Sequence, residues 1–122
     1  MVNTDFNIIF MKKVSGVVIR GKKEGKRIGY PTANIQLPYP IESGVYAGAA
    51  WIRGKKFSGA IFVGKDENIL EIHVLDFEGD LYGQEIEVEI GEKIREIHPF
   101  ESEEKMRELI AQDVDKIRGN RV

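Results

Sequence analysis

An all-β domain with one C-terminal helix is the fold class this sequence predicts, and three observations carry it. Six short strand-like runs separated by turn residues occupy residues 13 to 97, with no helical period among them. After Ser102 the period changes, and Met106, Leu109, Ile110, Val114 and Ile117 fall on one stripe of a helix. The length of 122 residues and hydrophobic content of 42% suit one domain with a single core and no staples. The spacing argues for an antiparallel barrel or sandwich. A six-stranded antiparallel barrel is the expectation, because closure removes exposed edges, with the helix covering its open end.

The expected strands are Val14 to Arg20, Thr32 to Leu37, Gly44 to Arg53, Phe57 to Gly64, Ile69 to Phe77 and Glu85 to Ile90. Pro38-Tyr-Pro40 breaks regular structure after the second, and Gly54-Lys55-Lys56 connects the third to the fourth. A turn at Glu78-Gly79-Asp80 ends the fifth, and the sixth alternates acidic and apolar residues as a half-buried strand does. Ser102 is the expected N-cap of a helix over about 103 to 118, with Glu103 and Glu104 at its positive end and Gly119 closing it. The domain therefore spans 12 to 119. Residues 1 to 11 read as an extension of uncertain role, with Met11 a candidate start or Phe6 to Phe10 an extra strand.

Composition narrows the function classes. No cysteine is present, which removes a disulfide framework, a thiolate metal site and a cysteine nucleophile together. No apolar stretch is long enough to span a membrane, and Asp5 and Asn7 interrupt the short run Ile8-Ile9-Phe10, so a cytoplasmic location is expected. The net charge of −2 hides an asymmetry between a basic loop after Gly21 and an acidic second half. A duplex-binding protein carries a broader basic face than one loop, so no nucleic acid is expected as a partner, and a monomer is the default.

That loop is the most informative stretch. Arg20, Lys22, Lys23, Lys26 and Arg27 are opposed only by Glu24, and Gly21 and Gly25 let backbone N–H groups turn inward around an anion such as a nucleotide's phosphates. Pro31 then sends the chain out as a strand on which Thr32 and Asn34, two residues apart, share one face. Their neutral oxygens beside a polyphosphate suit the octahedral oxygen shell of Mg²⁺. The simpler alternative is a cationic hairpin followed by an ordinary edge strand. Gly16-Val-Val-Ile-Arg-Gly21-Lys22-Lys23 only approximates a Walker A loop, since Lys stands where Ser or Thr holds the metal and no helix follows.

Gly16-x-Val-x-x-Gly21-x-x-x-Gly25 followed by Gly29-Tyr-Pro-Thr-Ala-Asn34 resembles the riboflavin kinase (flavokinase) family. Gly44-Val-Tyr-Ala, Leu70-Glu71-Ile-His73-Val-Leu-Asp76-Phe and Asp80-Leu-Tyr82-Gly83 match in order, and Arg95 and Phe100 follow before the last helix. The similarity covers about residues 13 to 118. It implies a Greek-key-type six-stranded barrel and transfer of the γ-phosphoryl group of ATP, or of another nucleoside triphosphate, to the riboflavin 5′-hydroxyl, forming FMN and, from ATP, ADP, with Mg²⁺. It further implies Glu71 as the catalytic carboxylate and a nucleotide site at Gly21, Gly25, Lys26, Thr32, Asn34 and Tyr82, Thr32 and Asn34 being the metal ligands. Arg95, His98 and Phe100 fall at flavin-contacting positions. By pattern alone Glu71 and His73 are a solvent-facing pair, Tyr82 a packing residue and Arg95 a solvated charge. His73 reads as a supporting residue, and with His98 far from it in sequence a zinc site is not expected.

Two departures stand out. Only Lys65-Asp-Glu-Asn68 remains where the family carries a longer loop, and His98 replaces what is often a lysine beside the flavin. The adenylyltransferase domain that commonly precedes the module in bacteria is not in this sequence, so a stand-alone kinase module is expected. The rival readings are a non-catalytic flavin- or nucleotide-binding module, favoured by the short loop, and an oligonucleotide-binding barrel using the basic loop.

Overall fold

The structure, a computed structural model, describes residues 12–21, 31–65 and 68–119. The expectations for residues 1 to 11, for Gly25 and Lys26, and for Asp66 and Glu67 of the short loop lie outside these residues. Six strands, β1 (Lys12–Val17), β2 (Thr32–Gln36), β3 (Gly44–Ile52), β4 (Lys55–Val63), β5 (Ile69–Val74) and β6 (Glu85–Arg95), precede the helix α1 (Glu103–Gly119). All pairings are antiparallel, in the order β1-β6-β3-β4-β5-β2. With β6 returning beside β3, strands β3 to β6 form a Greek key. The sheet curls until Ile19, just beyond β1, bridges Asn34 on β2, with the Ile19 N–H donating to the Asn34 carbonyl at 2.8 Å.

Alternation along the strands sorts residues into two faces. Ala33, Ile35, Ile61, Val63, Leu70, Ile72, Val74 and Val88 are fully buried inside the curl. The residues between them point outward. On that outer side Phe62 and Leu75 pack with Met106, Ile110, Val114 and Ile117 of α1. The expectation that α1 caps the barrel's open end is therefore corrected: the core is already closed by strand side chains, and the apolar stripe of α1 finds its partner on the outer face of β4. Full burial of a large aliphatic side chain such as Leu75 or Ile110 contributes about 1.5–3 kcal/mol, and the partly buried Met106 and Ile117 less. Ser102 does cap the helix, its Oγ accepting from the Lys105 N–H at 3.1 Å.

Several strand boundaries differ from the sequence reading. The β3–β4 connection is the two-residue turn Arg53-Gly54, with φ of 51° and 81°, so β4 begins at Lys55 rather than Phe57. This primed-turn geometry follows the twist of the flanking strands. β5 ends at Val74 instead of Phe77, because Asp76 adopts a positive φ of 62°. β1 ends at Val17, short of Arg20, and β2 at Gln36, short of Leu37. β6 continues past Ile90 to Arg95 because Gly91 permits close approach to β3, where a Cβ would lie 2.8 Å from the Ala47 carbonyl oxygen. That extension carries Arg95 to the edge of the candidate site.

Candidate active site

The β2–β5 register sets the site. Thr32 stands opposite His73 and Asn34 opposite Glu71, all on the outer face, since Ala33, Ile35, Leu70 and Ile72 fill the inner one. On the other side of β5, Phe62 of β4 stands opposite Glu71. The Glu71 carboxylate is 28% exposed, and its Oε2 lies 3.7 Å from Nε2 of the buried His73. The Phe62 ring covers His73 with centroids 4.7 Å apart. The solvent-facing alternative for this pair therefore fails at His73, which Phe62 shields from water.

The segment after β1 runs along Asn34. A Cβ on Gly21 would overlap the Asn34 side-chain amide, so a larger residue there would displace that amide. The neighbouring Arg20 guanidinium stacks 4.1 Å from the Tyr82 ring centroid. Tyr82 is held beside it because the Gly83 N–H donates to the Val18 carbonyl at 2.9 Å and the Tyr82 N–H to Asp80 Oδ1 at 3.0 Å. Tyr82 is half exposed, so packing in the core does not account for it.

Asn34, Glu71, His73 and Phe62 form one side of a cavity of about 660 Å³. Arg20, Gly21, Gly64 and Ile69 line it as well, and its opposite wall is Arg95, residues 97 to 101 and the α1 residues Lys105, Met106, Leu109 and Ile110. Phe100 is 62% exposed at this wall. His98 Nδ1 lies 2.8 Å from the Pro99 carbonyl and its Nε2 3.5 Å from Glu101. Arg95 is not a solvated charge: its Nε and Nη2 donate to Asp113 at 2.8 and 2.7 Å, and Nη1 to the Glu96 carbonyl at 3.0 Å.

Glu71, Asn34, Gly21, Arg95, His98 and Phe100 thus line one cavity. Thr32 adjoins it through the shared face of β2, and Tyr82 through Arg20. Sequence reasoning missed Asp113 and Phe62. The signal for Asp113 was an acid at a position on the apolar stripe of α1, three residues after Ile110. For Phe62 it was a large apolar residue on the outward set of β4.

The Thr32 hydroxyl and the Asn34 amide make no hydrogen bond to other described residues, and no three His, Asp or Glu side chains converge among those residues. Hard, neutral oxygen donors of this kind fit Mg²⁺ that brings its own phosphate ligands, and do not fit a soft metal held by protein alone.

The riboflavin kinase (flavokinase) family profile matches residues 10–120. The chain belongs to the riboflavin kinase family. The bifunctional riboflavin kinase/FMN adenylyltransferase of Buchnera aphidicola is 38% identical over 116 residues, covering 86% of this chain and 37% of that protein. The RNA-binding riboflavin kinase RibR of Bacillus subtilis is 34% identical, covering 85% of this chain and 49% of that protein. The chain thus spans between about a third and a half of the length of these relatives. Among solved structures, one described as a macrolide-efflux protein from Streptococcus pneumoniae superposes with a TM-score of 0.81 at 30% identity, over 87% of this chain and 38% of that one. Riboflavin kinase from Trypanosoma brucei superposes with a TM-score of 0.67 at 23% identity, over 89% of this chain and 76% of that one, and shares the fold. This riboflavin kinase family member has no helix among its described residues long and apolar enough to cross a membrane.

Proposed function

We propose that this chain is a riboflavin kinase that transfers the γ-phosphoryl group of ATP to the riboflavin 5′-hydroxyl, giving FMN and ADP. The observation that carries the reading is the register that sets Glu71 beside Asn34, with Thr32 on the same face, at a cavity whose opposite wall is α1 and the segment before it. Glu71 is the general base. It accepts the 5′-hydroxyl proton as that oxygen bonds to the γ-phosphorus and the bond to the β,γ-bridging oxygen breaks, a contribution of roughly 10²–10⁴-fold. His73, 3.7 Å from Glu71 and walled by Phe62, packs beside the carboxylate without a hydrogen bond to it.

Arg20 and Tyr82 flank the nucleotide, and the Gly21 backbone approaches its phosphates beside Asn34; Gly25 and Lys26, outside the described residues, are proposed for the same nucleotide by their place in the sequence motif alone. Bound Mg²⁺ supplies Lewis-acid stabilisation of the transferring phosphoryl, and Thr32 and Asn34 are the residues that hold it. The ring of riboflavin lies against Phe62, Met106 and Leu109, with Arg95, His98 and Phe100 at its edge. Aligning two substrates in one cavity accounts for much of the remaining acceleration. The protein works as a cytoplasmic monomer and needs no nucleic-acid partner in this reading.

The unengaged oxygens around Glu71 favour catalysis over passive flavin binding, because a binding module has no use for a base beside a metal-binding pair. Incubation with riboflavin, ATP and Mg²⁺, followed by chromatographic separation of flavins, tests this. FMN is the expected product. Its absence at all nucleoside triphosphates tried, with riboflavin still bound, leaves a binding module instead.

A further inference from the structure

Asp113 lies on α1 with 1% of its side chain exposed, and Arg95 takes both of its oxygens in a side-on, two-point contact. Asp113 is not itself a cavity-lining residue, whereas Arg95 is. The pair closes an 18-residue separation, and the segment it encloses carries His98, Pro99 and Phe100 of the cavity wall. The first carbonyl of that segment, on Glu96, accepts from Arg95 Nη1, so one guanidinium ties the end of β6, the start of the wall and the third turn of α1 together. Its carbon sits 5.9 Å from the Phe62 ring centroid. A planar fork gripped at two points cannot swing as a lysine does.

We infer that Asp113 is a positioning residue for the flavin end of the site. It acts through Arg95, and the inference rests on the riboflavin reading above. Of the five N–H groups a guanidinium carries, Asp113 and Glu96 engage three, which leaves one on each terminal nitrogen. Asp113 fixes where those two point. Because it also neutralises the guanidinium, this end of the cavity presents directed donors without net charge. The matching ligand is a neutral ring bearing carbonyl and ring-nitrogen acceptors, rather than an anion.

The test compares the parent with Asp113→Asn and with the double variant Arg95→Met/Asp113→Leu, by riboflavin Kd from flavin fluorescence, by steady-state kinetics and by thermal melts. Assays are run well below each melting point. Replacing a buried ion pair by apolar residues of similar volume is commonly neutral or stabilising, so the double variant keeps α1 docked even if the single one unfolds. Asp113→Asn is expected to raise riboflavin Kd and KM together on the order of tenfold, with kcat at saturation and nucleotide KM within about twofold of the parent. The double variant is expected to fold and to keep the raised riboflavin KM. Parent-like riboflavin affinity in a folded Asp113→Asn protein overturns the inference. So does restored affinity in the double variant, which makes the pair an anchor for α1 and nothing more. A parent that binds riboflavin but forms no FMN defeats the kinase reading, while the Kd values still decide the role of Asp113. A parent that does not bind riboflavin overturns both.

Discussion

The cavity beneath α1 and the groove along β3 and β6 are similar in size, about 660 and 860 Å³, yet the polar groups around Glu71 in the one and around Lys93 in the other are in opposite states. In the groove, Lys93 Nζ contacts Glu42 at 2.9 Å and Glu96 at 3.0 Å, Lys56 and Lys13 both reach Glu89, and the Tyr46 hydroxyl donates to the Glu42 carbonyl. The two carboxylates hold the Lys93 ammonium above its ordinary pKa, first through the hydrogen bond to Glu42. Burial raises Tyr46. Around Glu71, the side chains of Asn34 and the adjoining Thr32 make no such bonds to other described residues, and among those residues Glu71 has only the 3.7 Å contact to His73. Size does not separate a site from a groove. What separates them is whether the polar atoms have already consumed one another, because saturated groups gain little from a ligand and unengaged ones gain a great deal.

Substitutions on the two sides should therefore fail differently. The largest effect is expected from Glu71→Gln, which keeps shape and removes the base. Turnover should fall by roughly 10²–10⁴-fold with riboflavin affinity and melting temperature nearly unchanged, and a Gln variant retaining near-parent turnover removes Glu71 from the chemistry. Next is Thr32→Val, which deletes one oxygen but keeps a β-branched residue on the strand. Mg²⁺-nucleotide affinity should drop roughly tenfold, with riboflavin affinity far less affected, and equal loss of both points to general collapse of the site.

Gly21→Ala pushes the Asn34 amide, the far end of a side chain without a described partner, out of its place and should lower the melting temperature only slightly. It should also raise nucleotide KM a few-fold and riboflavin KM less; an unchanged nucleotide KM separates Gly21 from the nucleotide site.

The smallest effect is expected across the molecule, at Lys93→Met. Because the folded pKa of Lys93 is raised above 10.5, its contribution to stability is fully present below the unfolded value and is lost as pH rises through the folded one. The variant should melt slightly lower than the parent at neutral pH and converge with it in strong alkali, with kcat and both KM values unchanged. Impaired catalysis in this variant would make the groove part of the working site.

Much of this arrangement was legible because strand alternation is local. Spacing of two put Thr32 and Asn34 on one face and Glu71 with His73 on another, and the register then brought the two pairs together. The Ser102 cap and the stripe of α1 were equally local. The sequence reading fell short where the answer depended on distant partners. Arg95 looked solvated because its partner, Asp113, lies on another element, and α1 was assigned to the barrel's end because its stripe does not say which apolar surface it meets. Strand ends were misjudged at Gly91, whose small size favours a close crossing of β3, and at Asp76, whose positive φ ends β5 early.

The most direct measurement is an amide NMR titration of the parent protein with riboflavin. The account predicts the largest shifts at Phe62, Glu71, Arg95 and Leu109 around the cavity, with Tyr46, Ala49 and Lys93 of the groove nearly still. Shifts concentrated at Tyr46, Ala49 and Lys93, with the α1 side unmoved, would contradict it.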